Sequence, residues 1–224
     1  MKNKLLKGAH LSERKCREIV QLFCEDVTAT QIAEISGVSR VTVNNYFKLI
    51  RNYIAVHCEK KADLSYINDE ILNPDNNLSD ERSYYGFSIN YGKVYTQWLK
   101  NINDNTLKLF INGEPGSLAG ISPSYQKFQV IADCNAWRLY WLPVSPGSNA
   151  SELSNVSFEI NSFWEHTKGR LHKFRGMNKN TLSLHIKECE FRYNYRNHEL
   201  FPVLMQIINT PGNAYSISRE YTLA

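Results

Sequence analysis

No run of the 224 residues approaches the roughly 18 to 20 consecutive apolar positions of a membrane span, and the opening MKNKLLKGAHLSERK lacks the apolar h-region of a secretory leader. The expectation is a cytoplasmic chain with no membrane partner. Cysteine is scarce and unpaired in pattern. Cys16, Cys24, Cys58, Cys134 and Cys189 are odd in number and far apart, and no Cys-x-x-Cys occurs, which excludes a disulfide framework and a zinc ribbon. No internal repeat or low-complexity tract is present. With 42% hydrophobic and 21% charged residues, the chain has the apolar mass for a good-sized core and is neither a disordered tail nor a fibrous chain.

Charge is unevenly distributed. Residues 1–60 carry ten Lys/Arg against six Asp/Glu, residues 61–164 seven against eleven, and residues 165–196 eight against three. Basic flanks around an acidic centre suit a protein that grips a polyanion at its edges and keeps carboxylates in the middle, where they could bind metal.

The basic N-terminal segment reads as helices. Ser12 is an N-cap for a helix to about Cys24 whose Ile19, Val20, Leu22 and Phe23 make an apolar face, ended by Glu25-Asp26. In ATQIAEISGVSRVTVNNYFKLIRNYI, Ile32, Ala33 and Ile35 are expected to face inward. Gly37 supplies a tight turn, Ser39 caps the next helix, and Val43, Phe47, Ile50 and Ile54 form its buried stripe. A small residue at Ala33, glycine four later and Val43 six beyond is the spacing of a helix-turn-helix, in which two short helices approach closely at a steep angle. With the second helix in a major groove, Arg40, Thr42, Asn44 and Asn45 would reach base edges while Lys48 and Arg51 sit near phosphates.

Beyond Cys58 the periodicity shortens. DLSYINDE, YYGFSIN and KVYTQWL read as strands, NPDNN as a loop and Asn90-Tyr91-Gly92 as a hairpin turn. A short helix and a fourth strand, KFQVIAD, follow. From Ser151 the pattern is helical, with Ile160, Phe163, Trp164 and Leu171 on one face, and it continues through TLSLHIKECEFRYNYR to a last helix near Glu199 to Ile208. The expected organisation is a helical DNA-binding domain over 1–59, an α/β domain over 60–198 and a C-terminal helix and tail over 199–224.

Asp69 and Asp133 each finish a strand, where a carboxylate can turn into a crevice, and two such acids on neighbouring strands suggest a magnesium site. Asn161 and Lys168 stand seven apart and so share one face of the helix from Ser151, the amide able to ligate and the lysine to hold a phosphate. Glu159 and Glu165 are rivals for the ligand role.

The stretch NSFWEHTKGRLHKFRGMNKNTLSLHIKECEFRYNYR, residues 161–196, resembles the pattern "xFWxxxKxxLxKFxG" followed by "LHLKECEFRxNxR" of the fifteen-ninety-five family of insertion-sequence transposases, also called ISXO-two-like. Residues 11–51, 85–97 (YGFSINYGKVYTQ) and 130–140 (VIADCNAWRLY) are similar to the same family. The resemblance implies a helix-turn-helix domain preceding an RNase H-like mixed sheet with flanking helices. It also implies a DDE-type centre with an Asn or Glu in third position and a lysine seven residues on. Carried over, Asp133 is the second acid, Asn161 the third ligand and Lys168 the trailing lysine. The family pattern around the first acid continues into a basic, glycine-rich stretch. Here INDEILNPDNNLSDERSYYG keeps Asp69-Glu70, preferred as the first acid, and offers Asp80-Glu81 as a second choice.

The resemblance implies a transposase that binds double-stranded terminal inverted repeats and target DNA as a homodimer or larger assembly. Asp69, Asp133 and Asn161 would hold two magnesium ions, with manganese as a substitute, for DNA cleavage and strand transfer. Lys173, Arg175, Lys179, Arg192 and Arg196 are backbone-clamp candidates. The eroded first-acid segment supports the alternative of a degenerate or captured transposase that binds DNA as a regulator.

Overall fold

The computed structural model describes residues 10–61, 83–99, 102, 104–112, 127–143, 150–173 and 179–210. By contact the chain forms two units, 1–61 with 195–224 and 62–194.

The first unit is helical: α1 (Glu13–Cys24), α2 (Ala29–Ser36), α3 (Arg40–Lys61) and α7 (Leu200–Asn209). Ser12 caps α1, its side chain accepting from the Lys15 N–H. Cys16, Ile19, Val20 and Phe23 recur at helical spacing and are buried. The stripe of α3 is buried as expected through Val43, Phe47, Ile50 and Ile54, with Tyr46 and Tyr53 beside it. Phe23 meets Phe47 edge to face at 5.1 Å. The tail helix α7 carries buried Leu204, Met205, Ile207 and Ile208 and packs on α1 and α3. The C-terminal segment therefore shares the core of the N-terminal helices.

One expected core residue is on the surface. Ile35 is 60% exposed, because the inward side of the eight-residue α2 runs through Ile32 and Ser36. Ser36 is buried there with its hydroxyl donating to the Ile32 carbonyl at 2.6 Å.

The second unit is α/β, with strands β1 (Tyr84–Asn90), β2 (Lys93–Trp98), β3 (Val130–Asp133) and β4 (Arg138–Trp141) and helices α4 (Asp104–Asn112), α5 (Ala150–Leu171) and α6 (Lys179–Asn194). The sheet order is β2-β1-β3-β4, and every described pair is antiparallel, so the mixed sheet expected has no parallel pair among the described strands. The strand expected over DLSYINDE lies outside the described residues. β4, four residues only and half exposed, was not among the strands expected from the sequence pattern.

At the β1–β2 hairpin Tyr91 and Gly92 both have positive φ (49° and 69°), the two-residue turn whose twist matches antiparallel strands. Gly86 is required by close packing, since a Cβ there would lie 2.7 Å from the Phe128 ring.

The sheet is covered on both faces. On one, Phe87, Val94, Val130 and Ala132 pack with Ile160, Phe163 and Trp164 of α5 and Ile186 and Cys189 of α6. On the other, Tyr84, Ile131 and Phe128 pack with Ile102 and with Leu107 of α4.

Candidate nucleic-acid interface

Three residues connect α2 to α3. Thr28 and Gln31 form a reciprocal capping box at the start of α2, and Gly37 ends it with φ 67°, its N–H donating to the Ala33 carbonyl. Ser39 then opens α3, its hydroxyl oxygen accepting the Thr42 N–H at 3.2 Å and its carbonyl the Val43 N–H at 3.0 Å. Lys15 of α1 donates to the Ser36 carbonyl at 2.7 Å, tying the end of α2 to the first helix. The beginning of α3 is thus fixed from both sides.

Arg40, Asn44, Asn45 and Lys48 are all exposed; Asn45, Lys48 and Val41, at 71% exposure, lie opposite the buried stripe, and Arg40, seven residues before Phe47, is open to solvent at the first residue of the helix. Two expected contacts are placed differently. Thr42 is half-buried with its hydroxyl 2.8 Å from that of Ser39, so it serves the cap. Arg51 is half-buried with its guanidinium over the rings of Phe47 (5.4 Å) and Phe23 (5.9 Å), a cation–π position at the rim of the core.

Of the acids expected at strand ends, Asp133 is among the described residues. Asp133 ends β3 at 1% exposure, and its Oδ1 accepts the backbone N–H groups of Asn135 (2.8 Å) and Ala136 (2.9 Å). That bonding builds the β3–β4 turn, which closes on Trp137 at φ 55° with its ring stacked on His172 at 4.9 Å. Along β3, Val130 and Ala132 enter the core shared with α5, while Ile131 enters the opposite one. Strand alternation puts Asp133 on the Ile131 side, away from α5.

Asn161 lies on the solvent side of α5 and donates to the Ser157 hydroxyl at 3.4 Å, in a shallow depression lined by Ser154, Ser157, Phe158, Asn161, Ser162 and Glu165. Lys168 shares that flank, as a spacing of seven dictates, and pairs with Glu165. Glu159, the other rival ligand, accepts the Tyr193 hydroxyl at 2.8 Å. Asp69 and Asp80 lie outside the described residues. Asn161, Glu165 and Lys168 are therefore together, and Asp133 is on the other side of the sheet from them.

Both edges of β3 are paired, by β1 and β4, which leaves no open edge beside Asp133 for a second acid-bearing strand. Among the described residues no group of three His, Cys, Asp or Glu side chains is arranged to hold a metal ion. The magnesium pair expected from the sequence also draws on Asp69 or Asp80, which are not among the described residues.

The clamp candidates also divide. Lys173 and Arg196 are exposed. Arg175 and the side chain of Lys179 lie outside the described residues. Arg192 is buried rather than presented to a phosphate: it is 7% exposed, and its Nε donates at 2.8 Å to Glu188 Oε1, which also accepts from Arg170 Nη2 at 2.8 Å.

Its neighbours on α6 serve the edge of β2. Glu190 Oε2 accepts the Thr96 N–H (2.9 Å) and hydroxyl (2.6 Å), Lys187 Nζ donates to the Thr96 carbonyl (2.6 Å), and Asn194 bonds both the N–H and the carbonyl of Val94. These side chains stand in for a neighbouring strand. Lys187, Glu190 and Asn194 recur at helical spacing in the sequence, which is the signal that could have marked them as one face.

Burial raises the pKa of the Cys189 thiol to about 12, and burial with the nearby Asp133 carboxylate drives that of Cys134 higher still, which keeps both in the thiol form near neutral pH.

No protein-family model matches the chain, and no solved structure does. Over 106 residues it is 29% identical to a Haemophilus influenzae protein named "uncharacterized transposase-like protein", an overlap of 46% of this chain and 81% of that protein.

Proposed function

We propose that the chain is a sequence-reading DNA-binding protein of transposase-like descent, in which α2 and α3 act as a helix-turn-helix and the second unit derives from an RNase H-like catalytic domain. The observation that carries the reading is the outward face of α3. Arg40, Asn44, Asn45 and Lys48 are exposed together on the first three turns of a helix whose entry is fixed by Gly37 and Ser39. Arg and Asn side chains supply the bidentate donors and acceptors that distinguish bases in a major groove. The transposase-like relative and the basic excess of residues 1–60 support the same partner.

The second reading is an active transposase that cleaves and joins DNA. It is favoured by the shared flank of Asn161, Glu165 and Lys168 on α5, within the stretch that resembles the family. It is opposed by Asp133, one of whose carboxylate oxygens builds its own turn, on the Ile131 face of the sheet. The DNA-reading proposal therefore comes first.

The test is selection from a pool of random-sequence DNA duplexes, followed by competition between the enriched duplex and a scrambled one. Enrichment of one sequence is expected, and Arg40→Ala should lower the preference by about 1–3 kcal/mol. Failure to enrich any sequence would overturn the reading. Equal weakening on both duplexes would make Arg40 a phosphate contact. The catalytic reading is tested separately by incubating the enriched duplex with millimolar magnesium, where no strand cleavage is expected.

A further inference from the structure

The exposed face of α3 contains one side chain that the hydrogen-bonding account leaves out. Val41 is 71% exposed and sits in the first turn of the helix, between Arg40 and the pair Asn44 and Asn45. At about 100° per residue it projects from the middle of that polar stripe, opposite Val43, Phe47, Ile50 and Ile54. A single exposed aliphatic residue is ordinary on a protein surface. Here its neighbours distinguish it, because the exposed side chains around it carry the donors and acceptors suited to base edges. Being β-branched on a helix, Val41 is also held near one χ1 rotamer, so its methyl groups point in a fixed direction and lose little freedom on docking.

The major groove displays donors, acceptors and one apolar group, the C5-methyl of thymine. We infer that Val41 packs against a thymine methyl and adds a methyl-specific position to the sequence read by Arg40, Asn44 and Asn45. The inference rests on the DNA-reading role proposed for α3. Removing one methyl-sized contact from water is worth about 0.8 kcal/mol, a factor of about four in affinity.

The experiment uses the full-length protein and the duplex enriched from the random pool, in which each thymine is replaced in turn by uracil. Uracil lacks the methyl group and keeps every base-pairing hydrogen bond. At one position the wild-type protein should lose about fourfold in affinity. Val41→Ser should bind the thymine and uracil duplexes equally at that position, near the wild-type affinity for uracil, and Val41→Ala, which keeps one methyl, should discriminate less than wild type. Both variants change an exposed side chain, and a circular dichroism melt confirms that they fold.

Three results would overturn the inference while leaving DNA reading intact: an enriched sequence without thymine, no loss at any uracil, or full methyl discrimination retained by Val41→Ser. A pool from which nothing is enriched would remove the DNA-reading role and this inference together.

Discussion

Asp133 spends one carboxylate oxygen on two backbone N–H groups, those of Asn135 and Ala136, at 1% exposure. An isolated acid at a strand end looks the same in sequence whether it faces a metal or starts a turn, and here the turn holds it. A substitution pair separates the roles. Asp133→Asn keeps an oxygen in place to accept both N–H groups and should leave the melting temperature nearly unchanged. Asp133→Ala strands them and should cost about 1–3 kcal/mol in denaturant unfolding. If Asn destabilised as much as Ala, the negative charge would be required rather than the acceptor.

The elements show how charged residues become core. Read as a pattern, KECEFR looks like a solvated helix face, yet Lys187, Glu188, Glu190 and Arg192 are all under 10% exposed. Lys187 pairs with Glu190, Glu188 accepts from both Arg192 and Arg170, and Lys187 and Glu190 also satisfy backbone groups of β2. Glu190→Ala removes the acceptor for Thr96 and the partner of Lys187 and should cost about 3–5 kcal/mol, measured by chemical denaturation. Arg192→Ala should likewise lower the melting temperature while leaving the DNA affinity of the folded protein unchanged.

Lys127, just before β3, supplies a pH signature. Burial, aided by the charge of Lys187, lowers its pKa from 10.5 to about 8. The folded state then binds fewer protons than the unfolded state between pH 8 and 10.5, so stability rises with pH through that window. Lys127→Met removes the charge. The variant should be more stable than wild type at pH 7, with the difference closing toward pH 10, as read from paired melting curves.

At the scale of the molecule, the chain leaves the N-terminal helices at Lys61, builds the α/β unit, and returns at Tyr195 to complete the first unit with α7. Tyr195 is tied to that unit by its hydroxyl, 2.7 Å from Lys61 Nζ and 3.1 Å from His57 Nε2. Leu204, fully buried, fills the helical core, so Leu204→Ala should cost about 2–5 kcal/mol. Truncation after residue 194 should expose the faces of α1 and α3 that α7 covers. Limited proteolysis within residues 10–61 reads both effects, and a truncated protein as resistant as the full chain would contradict this account.

Local chemistry made much of this protein legible in its residues. The Ser12 cap, the Gly37 turn with Ser39 beyond it, the Asn90-Tyr91-Gly92 hairpin and the inward faces of α1, α3 and α5 all follow from spacings of a few residues, where propensity and periodicity act. Long-range contacts decided the rest. Whether Arg192 meets a phosphate or Glu188, whether Arg51 faces solvent or two phenylalanine rings, and which side of the sheet Asp133 takes depend on partners far along the chain or on strand pairing. Short-range pattern carries no record of these, because a charge or a carboxylate has the same local signature in either setting and only packing chooses between them.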